Sequence, residues 1–109
     1  MSQRLDLQHL ALMAEGDEAL MQSVLENFKS SAQECLERMA SARAPDAFAA
    51  AAHRLKGAAR SVGAWSLAEA AAAAEQAGLE QAPHAALSRV QREHDLVTAE
   101  IKHRLLSAA

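Results

Sequence analysis

PDAFAAAAHRLKGAARSVG, residues 45–63, has the period of one buried helical face. An α-helix advances about 100° per residue. With Phe48 set at zero, Ala51, Ala52, Leu55, Ala58, Ala59 and Val62 all fall within about 80° of it. Pro45 suits a first helical turn, where its missing N–H breaks no bond. Gly63 suits the end of the helix.

The outer half of the same helix is unusual. His53 falls at roughly 140°, Gly57 at roughly 180° and Arg60 at roughly 120°. Asp46, Ala49, Ala50 and Lys56 share that half. Ala49 and Ala50 precede His53 by one turn, and Gly57 follows it by one turn. A bare patch therefore surrounds one imidazole. Gly57 costs a helix interior about 1 kcal/mol relative to Ala, and local folding does not require it. Close approach of a partner does: a side chain at Gly57 would stand in the way, so Ala49, Ala50 and Gly57 are expected to form a docking patch. A neutral imidazole nitrogen is a nucleophile near neutral pH. Lys56 at i+3 and Arg60 at i+7 add positive charge on the same side, which favours a phosphoryl group. No carboxylate lies at i±3 or i±4 of His53, so this helix holds no base and orienting partner of its own. A nucleophile without catalytic apparatus has the character of a carrier, whose partner brings the metal and the geometry.

The flanking segments follow the helical period as well. Leu20, Val24, Leu25, Phe28, Ala32, Cys35, Leu36 and Met39 form a seam after Gly16, with Asp17 as its N-cap. Leu67, Ala70, Ala71, Ala74 and Ala77 form a weaker one, closed by Gly78. Ser66 and Glu69 have the spacing of a capping box at or near its start. Pro83 opens a last segment with Leu87, Val90, His94, Val97, Ile101 and Leu105 on one line. Leu7, Leu10, Ala11 and Met13 read as a short lead-in helix. Four long helices on short connections imply an all-α, antiparallel up-down four-helix bundle with that short helix in front, and residues 1–109 read as one domain.

Composition agrees. Half of the 109 residues are hydrophobic, yet the chain has two Phe, one Trp and no Tyr. Its alanine favours closely packed helices, and the scarcity of β-branched residues disfavours strands. The net charge of −3 comes with no basic stripe for nucleic acid. No apolar run reaches the roughly 18 residues of a membrane span, and MSQRLDLQHL lacks a signal-peptide core. The single Cys35 has no internal disulfide partner. A cytoplasmic monomer is expected.

His53-Arg54-Leu55-Lys56-Gly57-Ala58-Ala59-Arg60-Ser61-Val62-Gly63-Ala64, with Leu67 beyond, resembles the signature of histidine-containing phosphotransfer domains: His-x-Leu-Lys-Gly, two small residues, an apolar residue, Gly, then Leu. Phe28 on a long upstream helix and the alanine-rich approach to the His are also similar. The resemblance spans essentially the whole chain. It implies a four-helix bundle whose exposed His exchanges phosphate with an aspartate on a receiver domain. His53 then corresponds to the phosphoacceptor, Lys56 to the supporting cation and Gly57 to the steric gap; Arg60 stands at a variable position. The implied partners are a response-regulator receiver and a hybrid histidine kinase. No cofactor is implied on this chain, since Mg²⁺ is expected on the receiver. One departure is Ala74, before the acid of the fourth helix, where Leu is usual; it affects packing more than function.

The other residues have ordinary readings. His94 lies on an apolar seam and reads as core or boundary; His9, His84 and His103 read as surface. Glu100 and His103 make half of a carboxylate di-iron motif whose other half is missing. Cys35 reads as core packing, and Trp65 as a plug at a bundle end. Two other function classes compete. A self-phosphorylating kinase fragment is disfavoured by Arg54, where kinase dimerisation helices usually carry an acid after the His, and by the lack of a Gly-rich nucleotide loop. A helical adaptor that binds a receiver without accepting phosphate is opposed only by the intact His53, Lys56 and Gly57.

Overall fold

Asp6 and Asp17 start the first two helices in the same way. Each carboxylate accepts the backbone N–H three residues on, His9 in one case and Leu20 in the other. The computed structural model describes residues 4–78 and 83–108 and places five helices there: α1 (Leu7–Met13), α2 (Glu18–Ser41), α3 (Pro45–Ser61), α4 (Trp65–Ala77) and α5 (Pro83–Ala108). The fold is all-α. The connection between α4 and α5 lies outside the described residues.

α3 packs between α2 and α4, α4 packs on α5, and α5 closes the ring against α2. The α3 face expected from the period is buried: Phe48, Ala51, Ala52, Leu55, Ala59 and Val62 all enter the core. Ala70, Ala71 and Ala74 do the same on α4. Alanines on both surfaces let two helix axes come close, and α3 against α4 is the most extensive helix–helix contact among the described residues. Val90, Val97 and Ile101 complete the core from α5, with His94 buried beside them.

Two expectations at helix starts and seams change. Leu20 is 46% exposed, and Met21 takes the inward position. Leu20 lies about 110° from the centre of the buried α2 arc, outside the stripe that neighbours can cover. The fourth helix begins at Trp65 with Ala64 as its N-cap and no side-chain cap, so Ser66 and Glu69 do not form a capping box.

α3 ends in a Schellman motif. Ala64 N–H reaches Ala59 O at 2.9 Å and Gly63 N–H reaches Arg60 O at 3.1 Å. Gly63 takes φ +73°, and a Cβ there would lie 2.7 Å from the Cβ of Asp6 and 3.0 Å from its backbone N. The Asp6 N–H donates to Gly63 O at 3.0 Å. The N-terminal segment is thus sewn to the end of α3. Trp65 Nε1–H donates to Asp6 Oδ2 at 3.0 Å, and this bond, ahead of the His9 backbone N–H, holds the Asp6 carboxyl below its ordinary value.

His9 is not a plain surface residue: its ring meets Trp65 edge-on at 5.1 Å, and its Nε2 is shut away from solvent. Trp65, between its partners Asp6 and His9, remains 46% exposed. Glu100, set aside as half a metal motif, accepts the backbone N–H groups of Arg4 and Leu5, both at 3.0 Å. Arg4 also pairs with Glu93 at 2.9 Å. Cys35 is buried, and burial pushes its thiol pKa up. No helix among the described residues is long and apolar enough to cross a membrane.

Candidate functional site

His53 stands at the middle of α3 with its side chain 67% exposed. Phe48 and Leu55, both buried, fix the rotation of the helix, and that rotation turns position 53 outward. Ala50 and Gly57 are exposed beside it, and Ala49 is half-buried. A Cβ built on Gly57 would meet nothing within 4 Å. The surface around the imidazole is as bare as the period requires. Arg60 is exposed one further turn along and makes no ion pair among the described residues.

The surroundings of His53 hold one carboxylate that the helix itself does not carry. Glu75, near the end of α4, bridges two α3 side chains. Its Oε2 lies 2.9 Å from His53 Nδ1 and its Oε1 lies 2.8 Å from Lys56 Nζ. An ionised carboxylate only accepts, so Nδ1 of the ring carries the donated proton. In the neutral ring the lone pair is then on Nε2, the nitrogen facing away from Glu75. The Lys56 ammonium and then the His53 ring hold the Glu75 carboxyl below its ordinary value, against the opposing pull of partial burial. Lys56 is therefore not a free cation over the site: its side chain is 19% exposed and is tied to Glu75.

Residues 23–105 match the Hpt domain family model. The chain belongs to the Hpt domain family. The fold of this Hpt domain is similar to that of histidine-containing phosphotransfer protein B from Pseudomonas aeruginosa PAO1, with a TM-score of 0.86 and 25% identity over 95% of this chain and 96% of that one. It is also similar to the histidine phosphotransferase ShpA from Caulobacter crescentus, with a TM-score of 0.79 and 25% identity over 97% of this chain and 94% of that one. No curated protein matches the sequence significantly.

In this Hpt domain the structure joins His53, Lys56 and Glu75 directly, with Gly57 and Ala50 as the adjoining open surface and Ala49 half-buried at its edge. Arg60 makes no bond to that group. Glu75 escapes a search along the site helix because it is distant in sequence; the family pattern touches it only as the acid after Ala74 and assigns it no part in the site. A signal does exist in the hairpin. His53 lies ten residues before Gly63 and Glu75 twelve after it. An antiparallel pair turning at Gly63 sets those two positions nearly level.

Proposed function

We propose that this Hpt domain is a phosphorelay intermediate of two-component signalling that carries a phosphoryl group on Nε2 of His53 between receiver-domain aspartates. The observation that carries the reading is the Glu75 bond to His53 Nδ1, which leaves the solvent-facing Nε2 as the nucleophilic nitrogen. The neutral Nε2 lone pair attacks the phosphorus of the receiver's aspartyl phosphate. The N–P bond forms as the acyl O–P bond breaks, and the carboxylate leaves with the receiver. The product is a phosphoimidazolium that keeps its Nδ1 proton, so no proton has to move. The Glu75 carboxylate faces the positive charge that develops on the ring, in the way a preorganised acceptor stabilises an imidazolium. The reverse attack by an aspartate restores the neutral ring. Transfer then runs in either direction, as a carrier requires.

Lys56 acts here chiefly by placing Glu75, with its charge as a second contribution to the incoming phosphoryl group. Arg60 stands beside the docking patch as a further cation. Mg²⁺ and in-line geometry belong to the receiver. A hybrid histidine kinase's receiver is one source of the phosphoryl group, and the carrier itself has no kinase activity.

His53→Gln is expected to abolish labelling from a phosphorylated receiver while helicity stays unchanged. Labelled wild-type protein should show its phosphorus coupled to Nε2 by NMR. Label retained in His53→Gln overturns the assignment, and a wild-type chain that binds the receiver but takes no label is an adaptor instead.

A further inference from the structure

A phosphoryl group on Nε2 of His53 would put its negative oxygens on the side of the ring away from Glu75. Lys56 is bonded to that carboxylate and largely covered, so its ammonium does not follow the oxygens outward. Two other cations stand on this part of α3, Arg54 and Arg60. Both are exposed, and neither makes an ion pair among the described residues. Arg54 lies about 100° around the helix from His53. With Arg38 and Arg43 it lines a groove on the α2 side of α3.

Arg60 is on the opposite flank. Lys56, at about 80° from Phe48, and His53, at about 140°, both reach Glu75, so this flank of α3 faces α4. Arg60, at about 120°, falls between them. It stands about 10 Å further along the axis than His53 and about 20° away in rotation. A helical side chain leans toward the N-terminus and covers the turn before its own Cα. For Arg60 that is the turn of Lys56 and Gly57. Gly57 lies between the two residues on this face, and a Cβ there would meet nothing within 4 Å. The surface that an arginine crosses to reach back toward Nε2 is therefore bare. A guanidinium is a planar fork of donors that matches two phosphoryl oxygens at once, and the fork of Arg60 is not spent on a carboxylate.

We infer that Arg60 is a clamp on the loaded carrier: it folds back across Gly57 and holds the phosphoryl oxygens on Nε2 of His53. The inference rests on the phosphocarrier reading above. Gly57 then clears a path within the chain as well as space for a partner. Arg60 makes and breaks no covalent bond. Its charge and fork favour the phosphorylated ring over the free one, so it shifts the balance of phosphoryl groups from the receiver's aspartate toward His53.

The test uses the full chain, loaded with phosphoramidate, a small donor that needs no receiver. In nitrogen NMR the side-chain N–H signal of Arg60 should move when the wild type is loaded. It should stay in place when Gly57→Gln is loaded, because that side chain blocks the path. The second measurement is the equilibrium ratio of phosphoryl on His53 to phosphoryl on a receiver, taken from forward and reverse transfer rates. In Arg60→Gln the ratio should fall about fivefold, the scale of an exposed charge-assisted pair. Arg60→Lys keeps the charge without the fork and should recover part of the loss. Melting temperature should hold in both, since Arg, Gln and Lys have similar helix propensities. An Arg60 signal indifferent to loading of the wild type, or a ratio unchanged in Arg60→Gln, overturns the inference. So does a change confined to the half-saturating receiver concentration, which makes Arg60 a docking cation only. If phosphoramidate does not label wild-type His53, the carrier reading itself fails; if it does and the Arg60 variants match the wild type, only the clamp inference fails.

Discussion

Gly57 and Gly63 stand six residues apart on one helix and its cap, and the space around them differs completely. Gly57 has ordinary helical backbone, and a Cβ there would meet nothing within 4 Å. Gly63 has φ +73° and the backbone of Asp6 pressed against it. One glycine keeps space clear outside the molecule, and the other lets two segments close up inside it. The first costs stability and gives the fold nothing in return. The second holds the N-terminal segment, through Asp6 and Trp65, onto the bundle end. A missing side chain therefore signals docking or packing according to what its Cβ would meet.

The sharpest break of that contrast is at Gly63. Gly63→Ala should lower stability by about 3 kcal/mol, from the left-handed backbone cost together with the clash against Asp6. Urea unfolding followed by circular dichroism measures it. A loss of a few tenths would show that Asp6 swings away freely and that the seam is weak. The phosphoryl chemistry of the fraction that stays folded should be normal, because His53 lies more than two turns away.

Gly57→Gln should do the opposite on both axes. Gln is the better helix former by roughly 0.5 kcal/mol, and the open space admits its side chain, so the melting temperature holds or rises. Transfer from a receiver should fall about tenfold or more, as expected when one side chain blocks a contact surface. A variant that melts lower and transfers at the normal rate would make Gly57 a packing residue like Gly63, and the contrast would disappear.

The smallest expected effect refines the open side of the comparison. Glu75→Ala removes the acceptor at His53 Nδ1 and should slow transfer severalfold, with nitrogen NMR showing the loss of the Nδ1–H preference. The Glu75 carboxyl is held below its ordinary value of 4.5 in the folded chain. A depressed carboxyl stabilises the fold above its unfolded pKa and loses that contribution as pH falls through the folded one. The wild type should therefore melt slightly above Glu75→Ala at neutral pH, and the gap should close on acidification below the ordinary value. A gap independent of pH would place the effect in packing rather than in the bonds to Lys56 and His53.

Much of this molecule was legible along the chain. The caps Asp6 and Asp17 occupy positions that a local rule recognises. The buried arc of α3, the core seam of α5 and the outward turn of His53 follow from a period of 3.6 residues, which burial of one face imposes on any packed helix. Leu20 and the Ser66–Glu69 pair show where such rules stop. Leu20 lies outside the arc that the period itself defines, and the Ser66–Glu69 spacing forms no cap because α4 starts at Trp65.

The sequence by itself determined that the chain is helical, which stripe of each helix is buried, and that an imidazole with a bare, partly cationic surround faces outward on the third. These are properties of one helix at a time, and each depends on residues within a turn or two. Only the tertiary structure decided that Glu75 bonds to His53 and Lys56, that Asp6 closes on Gly63, and that Arg38, Arg43 and Arg54 share a groove. Each of those contacts joins two elements. Its existence depends on how the two are rotated and staggered against each other, and the period of a single helix carries no information on either.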